Sequence, residues 1–215
     1  MTSATDSIID QLASDAKPVR PLGSPAWRAW LTMTLLALAL GAAILLLGDA
    51  GGLQRRYGGR EALLVVEMVA MLATACVAIL AAFFVSVPGR SRAWLAAPLP
   101  FLLLWLALSA TGGLARSAPS AVVGGGESSH CLLFILGASA ALAPWLIIRL
   151  APARPIEPLP VALLSGLGIA AASAFTLQFF HAAPVTTIDL CVHAVAVGLV
   201  VAIAGLLNRP LLARP

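Results

Sequence analysis

Residues 27–48 read WRAWLTMTLLALALGAAILLLG and carry a single charged side chain, Arg28. About 20 apolar residues in a helix cross the ~30 Å hydrocarbon core of a bilayer. This stretch therefore predicts a membrane-spanning helix. The residues before it are partly acidic and contain no basic run that leads into an apolar core, so we do not expect a cleaved secretory signal.

The composition extends this interpretation to most of the chain. Of the 215 residues, 60% are hydrophobic and 10% are charged, a balance typical of a polytopic, all-α membrane protein. Short connections separate the apolar stretches and predict an up-and-down bundle of six helices in residues 27–207. A cytoplasmic segment, 1–26, precedes it and a short cytoplasmic tail, 208–215, follows. The predicted spans are 27–48, 62–87, 93–113, 131–150, 158–180 and 187–207.

The basic residues predict the orientation of these spans. Cytoplasmic loops carry the excess of Lys and Arg. One side holds nine and the other four, which are Arg55, Arg56, Arg60 and Arg116. Both termini are therefore predicted in the cytoplasm. The basic residues are scattered beside apolar runs, so the net charge of +4 does not indicate direct nucleic-acid binding. The larger set comprises Lys17, Arg20, Arg28, Arg90, Arg92, Arg149, Arg154, Arg209 and Arg214.

The segment 6–20, DSIIDQLASDAKPVR, predicts a short amphipathic helix in the cytoplasm. Asp6 is the expected N-cap and Pro18 the expected end. A helix of roughly a dozen residues is marginal alone in water. A frayed terminus and a helix on the lipid surface are alternatives, but the polar face is acidic until Lys17, which favours a soluble partner protein. Its apolar stripe comprises Ile8, Ile9, Leu12, Ala16 and Val19.

Reactive side chains gather on the predicted outward side. Thiols, imidazoles and carboxylates are ligands for a soft divalent metal, and two cysteines at similar depth can also form a disulfide. Neither interpretation has a CxxC or HExxH motif behind it, and buried packing is an equal alternative. No cofactor is required; a metal is expected only as a signal. The candidate metal ligands are His130, Cys131, His181, Cys191, His193 and Glu67.

Two further residues lie inside the second predicted span. A carboxylate within the hydrocarbon costs a few kcal/mol unless it is paired or neutral, so Glu67 is expected to face the bundle. Its candidate partners are Gln178, His181 and His193. Cys76, in the middle of the span, is assigned to packing.

Two other classes of protein remain as alternatives. A small transporter needs polar groups along a path through the membrane, and here only Glu67 qualifies. An intramembrane thiol oxidoreductase needs a CxxC or a quinone site. The sequence contains no CxxC, and no residue constellation predicts an enzyme.

Several short motifs, in this order and spacing, resemble the NrsF family, the negative regulators of sigma F. The motifs are distributed from residue 12 to residue 193, so the resemblance covers nearly the whole chain. The motifs are LASDAKPVRPL (12–22), FVSVPGRSRAW (84–94), HCLLFI (130–135), RLAPARP (149–155), QFFH (178–181) and VH (192–193).

The resemblance implies a six-span anti-sigma factor of the bacterial inner membrane. Its N-terminal segment would hold an extracytoplasmic-function sigma factor inactive and release it under metal or oxidative stress sensed by periplasm-facing cysteines. Cys131 matches the family motif. The second family cysteine directly follows the loop histidine, where this chain has Ala182, so a sensing role for Cys191 is a hypothesis. The implied sigma-binding residues are Ile8, Ile9, Leu12, Asp15, Ala16, Pro18, Val19 and Arg20.

Overall fold

The computed structural model describes residues 2–15, 21–49, 51, 61–116, 125–180, 194–204 and 206. Within these ranges the chain is helical and contains no strand, as predicted. Two short 3-10 turns, Arg92–Leu95 and Ala151–Ala153, link helices. The helices are α1 Thr2–Asp15, α2 Pro25–Leu47, α3 Glu61–Val85, α4 Leu99–Arg116, α5 Gly125–Leu150, α6 Pro158–Leu177 and α7 Ala194–Ala204.

Five apolar helices in the described part of the chain are long enough to cross a membrane. They correspond to the first five predicted spans. The predicted sixth span, 187–207, is represented by the shorter apolar helix α7, and most of its remaining residues lie outside the described ranges. The third span begins with a 3-10 turn, and regular α-helix starts only at Leu99, directly after Pro98. A proline disfavours helical backbone angles at the residue before it, so Pro98 delays the helix. Pro100 lies in the first turn of α4, where a proline is tolerated.

Helix α2 starts and ends with recognisable capping contacts. The side chain of Ser24 accepts a hydrogen bond from the backbone N–H of Trp27, and Pro25 occupies the first turn. A proline there sacrifices no intrahelical hydrogen bond. At the other end the N–H of Gly48 donates to the carbonyl of Ile44. The span predicted at 27–48 is therefore a helix shifted by two residues at its start.

Helices α3 and α6 form the centre of the bundle. The buried share of the most apolar stretch is 72% in α6 and 50% in α3. In α2, α4 and α5 the same share is only 11% to 17%. The outer helices therefore present apolar side chains to their surroundings, as expected of helices in lipid. The centre is packed by side chains such as Ile79 and Phe83 of α3 and Val161 and Ile169 of α6.

Glycines allow α6 to approach its neighbours closely. A Cβ atom added at Gly168 would lie 2.6 Å from Cγ1 and 3.2 Å from the backbone nitrogen of Ile79 in α3. One added at Gly166 would lie 2.7 Å from Cβ of Ala204 in α7. Small residues at these positions therefore allow the helix backbones to approach closely.

Helix α1 differs from the prediction at its start. It begins at Thr2 rather than at Asp6, so the assignment of Asp6 as the N-cap is wrong. Residues 2–5 include neither glycine nor proline, so nothing in them interrupts a helix. The helix is described as far as Asp15, and its predicted end at Pro18 lies outside the described residues.

Candidate functional site

Four arginines meet at one end of the bundle, which we call the arginine end: Arg28, Arg90, Arg92 and Arg149. Arg28 lies in the first turn of α2 and donates from Nη2 to the backbone carbonyl of Arg149 at 2.6 Å. Since Arg149 is in the last turn of α5, this bond satisfies a carbonyl at a helix end. The guanidinium carbon of Arg28 also lies 5.2 Å from the ring centroid of Phe83.

The other two arginines join the same end through the connections between helices. The guanidinium of Arg90 lies 5.6 Å from the ring centroid of Phe84, which stacks on Trp94 at a centroid distance of 4.3 Å. Arg92 forms an ion pair with Glu157, the residue before α6. Four arginines that the sequence assigned to one side of the membrane therefore lie at one end of the bundle.

Aromatic side chains bring other helices together at the opposite end. The N–H of Asp49 donates to the carbonyl of Phe179 at 2.7 Å, and Phe179 packs on Leu64 of α3. The ring centroids of Phe134 in α5 and Phe180 are 5.3 Å apart. The end of α2, the start of α3, the first half of α5 and the segment after α6 therefore meet.

The predicted sensing residues are close in sequence to this aromatic contact. Cys131 lies in α5, three residues before Phe134, and His181 follows Phe180. The side chains of His130 and Cys131 lie outside the described part, as do His181, Cys191 and His193 entirely. Among the side chains that are described, no group of three or more His, Cys, Asp or Glu forms a metal site. Metal binding and disulfide formation stay predictions.

Glu67 is buried in α3 with 6% of its surface exposed, so it faces the bundle as predicted. Its Oε1 accepts a hydrogen bond of 2.6 Å from the hydroxyl of Ser109 in α4. Ser109 is a partner that the sequence analysis did not name. It also lines an apolar groove of about 660 Å³ that α4 forms with α6 and α7. The hydrogen bond between Glu67 and Ser109 therefore joins α3 to α4 beside a mostly apolar groove.

Helix α1 presents its apolar stripe without a partner in the described part of the chain. The side chains of Ile8 and Ile9 are each 57% exposed and that of Leu12 is 67% exposed. Asp15 is exposed as well. The other predicted binding residues, Ala16, Pro18, Val19 and Arg20, lie outside the described ranges. An exposed apolar stripe on a helix is typically bound by a groove on a partner protein.

A proline inside α5 is a second feature that the sequence analysis did not use. Pro144 lies between the Cys131 end of the helix and Arg149. It has no N–H to donate to the carbonyl four residues earlier, so the hydrogen-bond ladder is interrupted there. A proline within an otherwise apolar helical stretch is visible in the sequence, and could have been found.

These features define a class of protein: an all-helical bundle with helices of membrane-spanning length, preceded by a separate, unpacked amphipathic helix. Within that class the chain belongs to the NrsF family, described as negative regulator of sigma F, which matches residues 12–213. The resemblance based on the short motifs is confirmed. Neither a curated protein nor a solved structure matches the chain.

The match also bears on the N-terminal segment. It begins at Leu12, so residues 12–20 fall inside the family region, whereas Ile8 and Ile9 precede it. The family description assigns the protein to the negative regulators of a sigma factor.

Proposed function

We propose that this protein is a membrane-bound anti-sigma factor that holds an extracytoplasmic-function sigma factor through residues 6–20. One observation carries the proposal: Ile8, Ile9 and Leu12 form an exposed apolar stripe on α1, in a family of negative regulators of a sigma factor. An exposed stripe on a separate helix gains free energy when a partner groove removes it from water.

The bundle in this proposal lies in the bacterial inner membrane with both termini in the cytoplasm. The basic residues of the arginine end support this orientation, because cytoplasmic loops are enriched in Arg and Lys. The sigma factor would then be kept at the membrane surface, away from RNA polymerase. The bilayer and the sigma factor are the partners, and the protein itself contacts no DNA.

The signal in this proposal is metal or oxidant acting on Cys131 and Cys191 at the periplasmic end. Helix α5 carries Cys131 near one end and Arg149 at the other; 26 residues in a helix extend about 39 Å. A metal or a disulfide changes the position of α1 only if it binds one arrangement of the helices better than another. A reversal from mostly bound to mostly released sigma factor takes about 5 kcal/mol of differential binding.

Co-sedimentation with membranes tests the proposed binding. The full-length chain and a truncation without residues 1–20 are each expressed with an extracytoplasmic-function sigma factor from the same genome. We expect the sigma factor to sediment with membranes that contain the full-length chain and to stay soluble with the truncation. A sigma factor that stays soluble in both cases contradicts the proposal.

A further inference from the structure

The contact between Arg28 and Arg149 leaves two positive charges together at the arginine end. Arg28 Nη2 is used by the Arg149 carbonyl, and Arg149 Nε points to the hydroxyl of Thr32 at 3.4 Å. Thr32 is fully buried, and its hydroxyl donates to the carbonyl of Arg28. The two side chains are therefore held beside each other by α2 and α5.

Neither charge is neutralised by a carboxylate in the described part of the chain. The ion pair described at this end joins Arg92 to Glu157. In addition, Nη1 of Arg28 is buried and has no hydrogen-bond partner among the described residues. Buried polar groups normally have a partner, and adjacent like charges raise the free energy of a site unless an anion compensates them. The two arginines together have the composition of an anion-binding site.

The position of Arg28 and Arg149 in the bundle indicates which kind of anion they bind. Arg28 and Arg149 lie at the ends of two helices of membrane-spanning length. Trp27 and Trp30, on the same end of α2, are 67% and 64% exposed. Exposed tryptophans at the end of a spanning helix mark the level of the lipid headgroups, and basic pockets between helices on the cytoplasmic side bind anionic headgroups.

The chain offers few acidic groups of its own for this position. On the side that the sequence assigns to the cytoplasm, the carboxylates are Glu157, which pairs with Arg92, and three aspartates of α1. These three are Asp6, Asp10 and Asp15, and all of them are exposed.

We propose that Arg28 and Arg149 bind the phosphate of an anionic phospholipid between α2 and α5. Arginine suits this role because its planar guanidinium donates two parallel hydrogen bonds to phosphate oxygens. Nη1 of Arg28 and the terminal nitrogens of Arg149 supply the donors. The lipid fixes the start of α2, and hence the point from which the N-terminal segment extends.

The test uses the full-length protein purified in an uncharged detergent. Phosphatidylglycerol, phosphatidylcholine or inorganic phosphate is added at equal concentration, and bound lipid is counted by native mass spectrometry while the unfolding temperature is recorded. We expect phosphatidylglycerol to bind and to raise the unfolding temperature, whereas phosphatidylcholine and inorganic phosphate do neither. Equal stabilisation by inorganic phosphate, or equal retention of both lipids, overturns the assignment.

Matched arginine variants locate the site. Arg149→Gln removes a proposed donor, whereas Arg92→Gln removes the same charge from the same end without touching the pair. Charge-assisted hydrogen bonds are roughly twice as strong as neutral ones. We therefore expect at least tenfold weaker binding of phosphatidylglycerol to Arg149→Gln and less than a threefold change for Arg92→Gln. Equal weakening in both variants contradicts a specific site. The three additions to the unaltered protein still decide the proposal if Arg149→Gln fails to fold.

Discussion

The hydroxyl of Ser109 donates a hydrogen bond of 2.6 Å to Oε1 of Glu67, and the bond joins α4 to α3. Both residues are buried, with 8% and 6% of their surfaces exposed. A buried carboxylate that loses a donor must be desolvated without compensation. The pair is therefore expected to stabilise the bundle near the end where α3 begins.

Substitution of Ser109 by alanine tests this contact. We expect Ser109→Ala to lower the free energy of unfolding by ~1–3 kcal/mol, because it leaves a carboxylate oxygen with one donor fewer. The measurement is denaturant or thermal unfolding in detergent micelles. Thr111→Ala is the control, since Thr111 is exposed on the same helix and its hydroxyl donates to the carbonyl of Leu108. An equal loss in both variants would show that the bond to Glu67 adds nothing.

The close approach of α6 to α3 makes a second prediction. Gly168→Ala places a Cβ against the side chain and backbone of Ile79, and overpacking typically destabilises by ~1–3 kcal/mol. The same unfolding measurement applies. Gly137→Ala serves as the matched control, because Gly137 has open space around it. That substitution is expected to be neutral or to stabilise helix α5 by up to about 1 kcal/mol. If Gly168→Ala is as stable as Gly137→Ala, the helices are not in the contact described.

Substitutions of the three cysteines distinguish the proposed sensing residues from a residue that only packs. Cys76 is partly buried in the middle of α3, whereas Cys131 and Cys191 are the proposed sensors. We expect Cys131→Ser combined with Cys191→Ser to keep the sigma factor at the membrane even under oxidant or metal, because the differential binding that drives release is lost. Sigma-dependent transcription in cells reports the response.

Cys76→Ser is the control for that experiment and should respond as the unaltered protein does. An intact response in the double variant would place the signal elsewhere. Loss of the response in Cys76→Ser alone would assign sensing to a residue that we regard as packing.

Hydropathy and charge predicted much of the fold, because these signals are local in sequence. The length of the apolar stretches predicted the positions of the spans that the structure describes. The partner of Glu67 could not be predicted in the same way. Its identification as Ser109 depends on how α3 and α4 are rotated against each other, which no local pattern specifies. The contact between Arg28 and Arg149 likewise depends on the packing of two helices that are far apart in sequence.

The N-terminal helix shows the limit of boundary prediction. Asp6 is a good N-cap residue, yet the helix starts at Thr2. A residue that favours the N-cap position does not by itself interrupt a helix that continues through it. Ile8, Ile9 and Leu12 lie exposed on this helix, because helical periodicity does not depend on where the helix begins. The other two residues of the predicted stripe, Ala16 and Val19, lie outside the described residues.

The most direct measurement for the central claim is the affinity of the sigma factor for the full-length protein in lipid nanodiscs, compared between Leu12→Asp and Ser14→Asp. Both variants add one negative charge to α1, but Leu12 lies on the apolar stripe and Ser14 on the opposite face. We expect Leu12→Asp to weaken binding at least tenfold, because burial of a leucine side chain contributes about 1.5–3 kcal/mol and a buried unpaired charge adds a further penalty. Ser14→Asp should bind within threefold of the unaltered protein. Equal affinities for Leu12→Asp and the unaltered protein would contradict the account, since the exposed stripe would then not be the surface that holds the sigma factor.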